Sequence, residues 1–329
     1  DSTTSVMRAF WYGLIRQAFK CARETDYDLI IGLSPIGLIV ATWLSRRFGI
    51  PCVYYNDEIS FGDERNTLHG NAYGYAMKIL ERRANQRVLF TVTQDSERGR
   101  LLAKENCISM DSLRYLPNSR TGQAKISETV YIHRLFNFSP DTKIILWMGG
   151  VNPLAGALEL AREAQYWPAD YRMVFHFRTE NPSSYIREIM KCHGKGQTYI
   201  SNKPIPYMEV DDMVASATIG LGLYADTGIN ARYICSSSGK INSFLKMGVP
   251  CIVSDFQGLR WVEDAGAGIC VNHPSDVFKA AEKIIENYEN YQKRSVDIFE
   301  SRLSFDKAFA RIAGEIERQI TEEMGTMPV

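Results

Sequence analysis

Short runs of β-branched, aromatic and other apolar residues alternate with longer amphipathic segments along most of the chain. Near-continuous apolar runs of this length are typical of strands that are buried on both faces of a parallel sheet. The intervening segments are long enough for the helices that parallel connections require. The pattern therefore predicts an α/β protein. The clearest predicted strands are residues 29–33, 51–55, 88–92, 143–147, 172–177, 218–224 and 250–254.

The length of 329 residues is enough for two domains, each with its own core. The polar stretch from Ser119 to Ser127 has no periodic apolar pattern and is the predicted connection. We expect an N-terminal Rossmann-like domain over residues 1–120 and a C-terminal one over 121–304. Residues 305–329 are predicted to form a helix that can pack back on the first domain. The first domain opens with a helix where such domains usually open with a strand, so we expect it to lack the usual first strands.

Composition argues against several classes of protein. Lysine plus arginine equals aspartate plus glutamate, at 38 each, so no net charge would attract nucleic acid and any anion site must be local. The seven cysteines form no CxxC pair, which indicates reduced thiols in a cytoplasmic protein rather than a metal site. No run reaches the roughly 18 apolar residues that span a bilayer. Contact with the inner face of a membrane through a substrate stays open.

The segment from Tyr224 to Asp255 contains the most informative cluster of polar residues. A predicted strand and a polar loop are followed by Ser236-Ser237-Ser238-Gly239-Lys240, which open a predicted helix. The amides and the dipole at a helix N-terminus favour an anion. The serine hydroxyls could donate further hydrogen bonds, Gly239 would permit close approach, and Lys240 adds a positive charge. The cluster therefore predicts a diphosphate site, while simple helix capping by the serines is the alternative.

A second glycine-containing turn follows the predicted strand over residues 143–147. Gly149 and Gly150 stand between that strand and a predicted helix. Because ligands of parallel α/β sheets bind at the carboxyl ends of strands, this turn is a candidate for contact with the same ligand. Glycine at such a turn is also common for packing reasons alone.

Together these motifs resemble the retaining GT-B glycosyltransferases of glycosyltransferase family 4, also called group 1. The similarity extends from about Asp26 to the end of the chain. The matching sequences are YNDE at 55–58, MGGVNP at 148–153, SGKINSFLKMGVPCI at 238–252, SDFQGLR at 254–260 and EDAGAGIC at 263–270.

The resemblance implies two Rossmann-like domains that face each other across a cleft. It also implies transfer of a sugar, with retention, from a nucleotide diphosphate donor bound to the C-terminal domain, without a catalytic metal or other cofactor. The diphosphate would lie against Gly149, Gly150 and the helix that starts at Gly239. The acceptor would face the N-terminal domain, and acceptors in this family are often lipid-linked.

The sequence departs from the family pattern at several positions. The family's two glutamates, eight residues apart, fall on Cys235 and Ser243, and its Arg and Lys after the first C-terminal strand fall on Gly150 and Ala155. Ser243 could still bind a ribose hydroxyl. The missing cations would remove charge-assisted hydrogen bonds of roughly 1.5–3 kcal/mol each.

Five residues are candidates for binding the substrates or for catalysis. Lys240 and Arg178 could balance the charge of the leaving diphosphate, and Arg232 could bind it. Asp57 and Glu58 follow a predicted strand of the first domain and could hold the acceptor or act as general base. The alternative for the arginines is an exposed surface position, and for the two acids it is a helix or loop cap.

We therefore expect a glycosyltransferase that acts on a glycan or lipid-linked acceptor in the synthesis of cell-surface polysaccharide or glycoconjugate. The substituted positions leave two alternatives. One is a non-catalytic GT-B subunit that binds or activates a partner transferase. The other is a nucleotide-sugar epimerase, which would need carboxylates for proton transfer.

Overall fold

The computed structural model describes residues 2–60, 72–151 and 153–325. Its strands form two sheets, in which all neighbouring strands are parallel. The strands are β1 (Ile30–Leu33), β2 (Cys52–Tyr55), β3 (Thr91–Thr93), β4 (Leu113–Tyr115), β5 (Lys143–Met148), β6 (Tyr171–His176), β7 (Thr198–Ser201), β8 (Ile219–Gly222), β9 (Cys251–Ser254) and β10 (Gly268–Val271). The first sheet has the order β1-β2-β3-β4, and the second has the order β10-β9-β8-β5-β6-β7.

Helices connect the strands, as parallel pairing requires. In the described part of the chain, none of them is both long enough and apolar enough to cross a bilayer. They are α1 (Ser2–Glu24), α2 (Ser34–Phe48), α3 (Ala72–Asn85), α4 (Ser96–Asn106), α5 (Tyr131–Phe136), α6 (Ala157–Glu163), α7 (Ser184–Met190), α8 (Val210–Ala215), α9 (Ile229–Arg232), α10 (Gly239–Lys246), α11 (Arg260–Asp264), α12 (Val277–Glu286), α13 (Tyr288–Ile298) and α14 (Phe305–Gly325).

The chain divides into two compact units. The first contains the four-stranded sheet and ends at Leu116, but it also includes the chain from Lys307 onward. The second runs from Pro117 to Asp306 and contains the six-stranded sheet. The sequence predicts boundaries after residues 120 and 304, whereas the packing divides the chain after 116 and 306. Helix α14 is tied to the first unit by a bidentate ion pair between Arg114 in β4 and Glu315, with N–O distances of 2.5 and 2.6 Å.

A buried polar network holds α3 and α4 against β2 in the first unit. The Lys78 ammonium lies 3.0 Å from a Glu81 carboxylate oxygen and donates to Asn106 at 2.6 Å. The other carboxylate oxygen accepts from Asn106 and from the Tyr54 hydroxyl. The side chains of Lys78 and Glu81 are 4% and 0% exposed. Each buried charge therefore has an opposite charge and further hydrogen bonds, which is the condition under which such groups are tolerated.

The second unit has an apolar core on each face of its sheet. Successive side chains of β5 point to opposite faces, so Trp147 packs with Phe175 in one core and Leu146 packs with Phe244 in the other. Helix α10 lies close to the sheet because Gly220 in β8 has no side chain; a Cβ there would lie 2.3 Å from the Phe244 ring. This contact fixes the distance of α10 from the strands whose carboxyl ends form the candidate site.

Candidate functional site

The carboxyl ends of β5 and β8, two central strands of the second sheet, lie next to the start of α10. The Lys240 ammonium lies 4.1 Å from the centre of the Tyr224 ring and 5.5 Å from that of the Trp147 ring. It also donates to the carbonyl oxygen of Leu223 at 3.4 Å. We call these four residues the Lys240 cluster. Both ring distances are in the range of cation–π attraction, so the rings and the carbonyl hold the ammonium in place.

Burial in this cluster lowers the pKa of Lys240 to about 8, because removal from water disfavours the charged ammonium. The lysine is therefore mostly charged at neutral pH but has no carboxylate partner among the contacts of the described residues. A bound anion would supply the missing negative charge. A lysine with a strongly shifted pKa at the carboxyl end of a parallel sheet is typical of a functional site.

The start of α10 offers backbone amides next to this lysine. The Ser238 side chain caps the helix by accepting a hydrogen bond from the Ile241 amide at 3.3 Å, and its hydroxyl lies 2.5 Å from that of Tyr224. The amides of Gly239 and Lys240 stand in the first turn, where an α-helix provides no acceptor of its own. They and the helix dipole favour an anion at this point.

Three of the four serine hydroxyls proposed as ligand donors make hydrogen bonds within the protein, namely those of Ser237, Ser238 and Ser243. Ser237 donates to the carbonyl of Ile234 at 2.5 Å, and Ser243 donates to that of Gly239 at 2.7 Å. The Ser236 side chain is buried. Local capping and turn formation therefore engage three of the four hydroxyls that the sequence suggested for the diphosphate and the ribose. The donors that remain for a ligand are the amides and the ammonium of Lys240.

The turn after β5 presents an open backbone. Gly149 adopts a φ of +97°, which few residues other than glycine tolerate, and its amide donates to His176 O at 2.9 Å. The Gly150 carbonyl accepts from the Trp147 indole at 3.2 Å, which ties the turn to the Lys240 cluster. A Cβ added to either glycine would meet no described atom within 4 Å. We call Gly149, Gly150, Gly239 and Lys240 the candidate anion site.

The two arginines proposed from sequence are both largely exposed. Arg232, at the end of α9, pairs with Asp226 at 2.9 Å and is 55% exposed, and this hydrogen bond raises the pKa of its guanidinium. Arg178 follows β6 by two residues, lies 4.0 Å from Glu180 and is 71% exposed. Each guanidinium thus has an acidic neighbour, and each keeps further N–H donors that a ligand could use, so both remain candidates.

Asp57 and Glu58 belong to the first unit and follow the carboxyl end of β2. A carboxylate oxygen of Asp57 accepts a hydrogen bond from the Ser34 hydroxyl at 2.7 Å, and Ser34 itself has a φ of +59°. Asn56 donates to the carbonyl of Glu58, and the buried Arg98 donates to that of Asp57. Hydrogen bonds to the backbone therefore hold the loop in place, while Asp57 and Glu58 are both exposed.

Sequence reasoning missed the aromatic part of the site. Trp147 is the penultimate residue of β5, and Tyr224 follows the end of the adjacent β8 by two residues; these positions at the carboxyl ends of strands could have indicated them. The conformation of Cys235 was not predicted either: the residue has a φ of +41° and is fully buried in a short 3-10 turn (Cys235–Ser237) before α10. A positive φ at a residue other than glycine is unfavourable by about 1–3 kcal/mol and often marks a functional site.

A polar cavity of about 220 Å³ lies beside the Lys240 cluster at the carboxyl ends of β8, β9 and β10. It shares Leu223 and Tyr224 with the cluster, and Ser254 and His273 also line it. Among residues 2–60, 72–151 and 153–325, no three histidine, cysteine, aspartate or glutamate side chains come together as a metal site would require.

Comparison with known proteins finds similar structures but no significantly similar sequence. The sequence matches no protein-family model, and no curated protein is significantly similar to it in sequence. HepE of Anabaena, solved with UDP, superposes with a TM-score of 0.70 at 12% identity, over 93% of this chain and 82% of HepE.

Two further solved structures are similar at the same low level of identity. Sucrose-phosphate synthase from Thermosynechococcus elongatus gives a TM-score of 0.67 at 14% identity, over 93% of this chain and 77% of that chain. A Listeria monocytogenes protein, provisionally named a UDP-N-acetylglucosamine 2-epimerase, gives 0.62 at 14% identity, over 95% and 80%. The chain therefore has the GT-B fold, with two parallel-sheet α/β units of four and six strands.

Proposed function

We propose that this chain is a glycosyltransferase that takes its sugar from a nucleotide diphosphate donor bound at the candidate anion site. The observation that carries the proposal is the position of Lys240, a partly desolvated cation without a carboxylate partner, beside the first-turn amides of α10. The open backbone at Gly149 and Gly150 supports it, because a diphosphate can approach there without meeting a side chain. That HepE was solved with UDP and with UDP-glucose is consistent with such a donor.

In this proposal the site acts on the leaving group. The bond between the anomeric carbon and the diphosphate breaks, a bond from that carbon to an acceptor oxygen forms, and the acceptor proton passes to a base. Negative charge grows on the diphosphate as the first bond breaks. The Lys240 ammonium and the amides of Gly239 and Lys240 would stabilise that charge more strongly in the transition state than in the bound donor, which is the condition for catalysis.

The finer features of the proposal come from the resemblance to glycosyltransferase family 4. We propose retention at the anomeric carbon, no cofactor or metal beyond the donor, and a glycan or lipid-linked acceptor. Asp57 and Glu58 are the proposed acceptor-binding or basic residues, since both are exposed on a supported loop. The setting would be the cytoplasm, with a lipid-linked acceptor reached at the inner face of a membrane during polysaccharide or glycoconjugate synthesis.

Binding and hydrogen exchange test the donor site. The protein is titrated with UDP, GDP, ADP and CDP by calorimetry, with the matching nucleosides as controls. The diphosphate that binds is then added in a hydrogen-exchange experiment. We expect slower exchange at residues 147–151 and 236–243 with the diphosphate and not with the nucleoside. Protection confined to other segments would exclude the candidate anion site as the donor site.

A non-catalytic subunit is the second candidate, because uncharged residues occupy the positions at which family 4 has its glutamates, arginine and lysine. Cys235 is buried and Ala155 carries no charge, so neither can replace the acidic or basic group of the family pattern. A chain of this kind would bind a nucleoside diphosphate but neither hydrolyse nor transfer the sugar of any donor. Product analysis of the matching nucleotide sugar without acceptor separates this case from an epimerase, which would convert the sugar and leave it attached to the diphosphate.

A further inference from the structure

We infer that Asn118 is a positioning residue for the candidate anion site, an inference that rests on the proposed function. Asn118 lies just after the start of the second unit, 119 residues before Ser237, and it bonds to the chain on both sides of the α10 N-terminus. Its backbone amide nitrogen donates to Ser236 O at 3.0 Å, and its side-chain Nδ2 donates to Ser237 O at 3.1 Å. Its own carbonyl accepts from the side chain of Asn242 at 3.0 Å.

These three bonds bracket the place where the 3-10 turn passes into α10. Ser236 and Ser237 belong to the turn, and Asn242 belongs to the first turns of the helix. The Asn242 side chain also donates to Ser236 O at 2.9 Å, which joins the two parts directly. Asn118 is therefore bonded to both elements that orient the amides of Gly239 and Lys240.

The junction needs support from outside because its backbone is irregular. Cys235 has a φ of +41°, an unfavourable conformation for a residue with a side chain. Asn118 also lies against the first helical residue: a Cβ on Gly239 would be 3.4 Å from Asn118 Nδ2 and 3.5 Å from its carbonyl oxygen. The direction of the first-turn amides, and thus the geometry of the anion site, depends on a residue that is remote in sequence.

The Asn118 side chain is exposed, so its removal should not empty a core. In Asn118→Ala the two main-chain bonds remain and only the bond to Ser237 O is lost. A bond of this kind corresponds to roughly a two- to tenfold change in an equilibrium. We expect Asn118→Ala to weaken UDP binding by about that factor and to leave uridine binding unchanged, because the nucleoside makes no use of the anion site.

The experiment compares wild type, Asn118→Ala and a control, Asn290→Ala, which removes an exposed asparagine from α13. UDP and uridine affinities are measured by calorimetry, and hydrogen exchange of residues 239–243 is measured without ligand. We expect a lower ratio of UDP to uridine affinity and faster exchange in Asn118→Ala alone. Should Asn118→Ala prove unstable, Asn118→Ser supplies a hydroxyl donor. Its ratio of UDP to uridine affinity should lie between those of Asn118→Ala and the wild type.

The outcomes separate this inference from the proposed function. Wild-type protein that binds no nucleoside diphosphate would overturn both. Wild-type binding of UDP, with the affinity ratio in Asn118→Ala equal to that of Asn290→Ala, would overturn only the role of Asn118. A purely structural role would lower thermal stability and reduce the affinities for UDP and uridine equally, which would also overturn it.

Discussion

Lys240→Met is the most direct test of the candidate anion site, because it removes the charge while keeping an unbranched side chain of similar length. A charged hydrogen bond contributes about 1.5–3 kcal/mol, which corresponds to roughly 10- to 150-fold in affinity. We expect the variant to bind UDP more weakly by a factor in this range. Lys279→Met, at an exposed position of α12, is the matched control and should bind UDP as the wild type does.

The same substitution should have little effect on stability. The lowered pKa of Lys240 means that folding disfavours its charged form, and methionine removes this unfavourable contribution. Methionine also loses the attraction to the Trp147 and Tyr224 rings, about 0.5–2 kcal/mol at a partly buried site. Because these effects oppose each other, we expect the free energy of unfolding to change by less than about 1 kcal/mol. Loss of binding with unchanged stability would locate the effect in the site.

The pKa predicts a pH dependence of known sign. With a pKa of about 8 in the folded protein, Lys240 is about nine-tenths protonated at pH 7 and about one-tenth at pH 9. If only the protonated form attracts the diphosphate, wild-type affinity falls by roughly tenfold over that interval. The free energy of unfolding changes in the opposite direction. Above pH 8 the unfolded lysine, with the ordinary pKa of 10.5, binds more protons than the folded one, so the destabilisation caused by burying the charged lysine disappears as the pH rises.

Calorimetry at pH 7, 8 and 9 and constant ionic strength measures the UDP affinity and its pH dependence. Urea unfolding of each protein measures the change in stability. The variant should show a flat pH profile where the wild type declines. Binding of UDP to Lys240→Met within twofold of wild type would refute a role for the ammonium. A wild-type profile parallel to that of the variant would show that some other group causes the pH dependence.

Four further substitutions and one double variant test the site and the fold. Gly150→Leu should weaken UDP binding at least about tenfold without lowering the melting temperature, because the glycine has an ordinary φ and open space beside it; equal UDP affinity in calorimetry would contradict this. Gly220→Ala should lower the free energy of unfolding in urea by about 1–3 kcal/mol, since its methyl group would meet the buried Phe244 ring, whereas Gly13→Ala in α1 should raise it. Lys78→Met should destabilise by about 3–5 kcal/mol because it leaves Glu81 buried without its cation, and Lys78→Met/Glu81→Leu should be less destabilised than the single variant.

The alternation of apolar runs and amphipathic segments was enough to predict both sheets, because strands buried on two faces have a distinctive composition. The predicted strand over residues 143–147 corresponds to β5 at Lys143–Met148. The same pattern predicts one helix over residues 275–294, which is wrong. The chain forms α12 and α13, separated at Asn287, where φ is −138°. Apolar periodicity continues across this break, so it gives no signal for it.

The candidate site could be predicted only in part. The helix start at Gly239 is local, and turn residues before an amphipathic segment indicate it. The Lys240 cluster depends on side chains that adjacent strands bring together from positions more than 70 residues apart, and no local pattern reports such a contact. The serines were expected as ligand donors because their hydroxyls are suited to that role, but the same hydroxyls form caps and turns equally well.

The ion pair between Arg114 and Glu315 has a consequence for biosynthesis. The first sheet leaves the ribosome early, but α14, which completes the same unit, is made only after the whole second unit. The continuous second unit can therefore finish folding before the discontinuous first one. Until α14 is synthesised, the first sheet lacks the helix that completes its unit, and Arg114 lacks the Glu315 carboxylate with which it pairs.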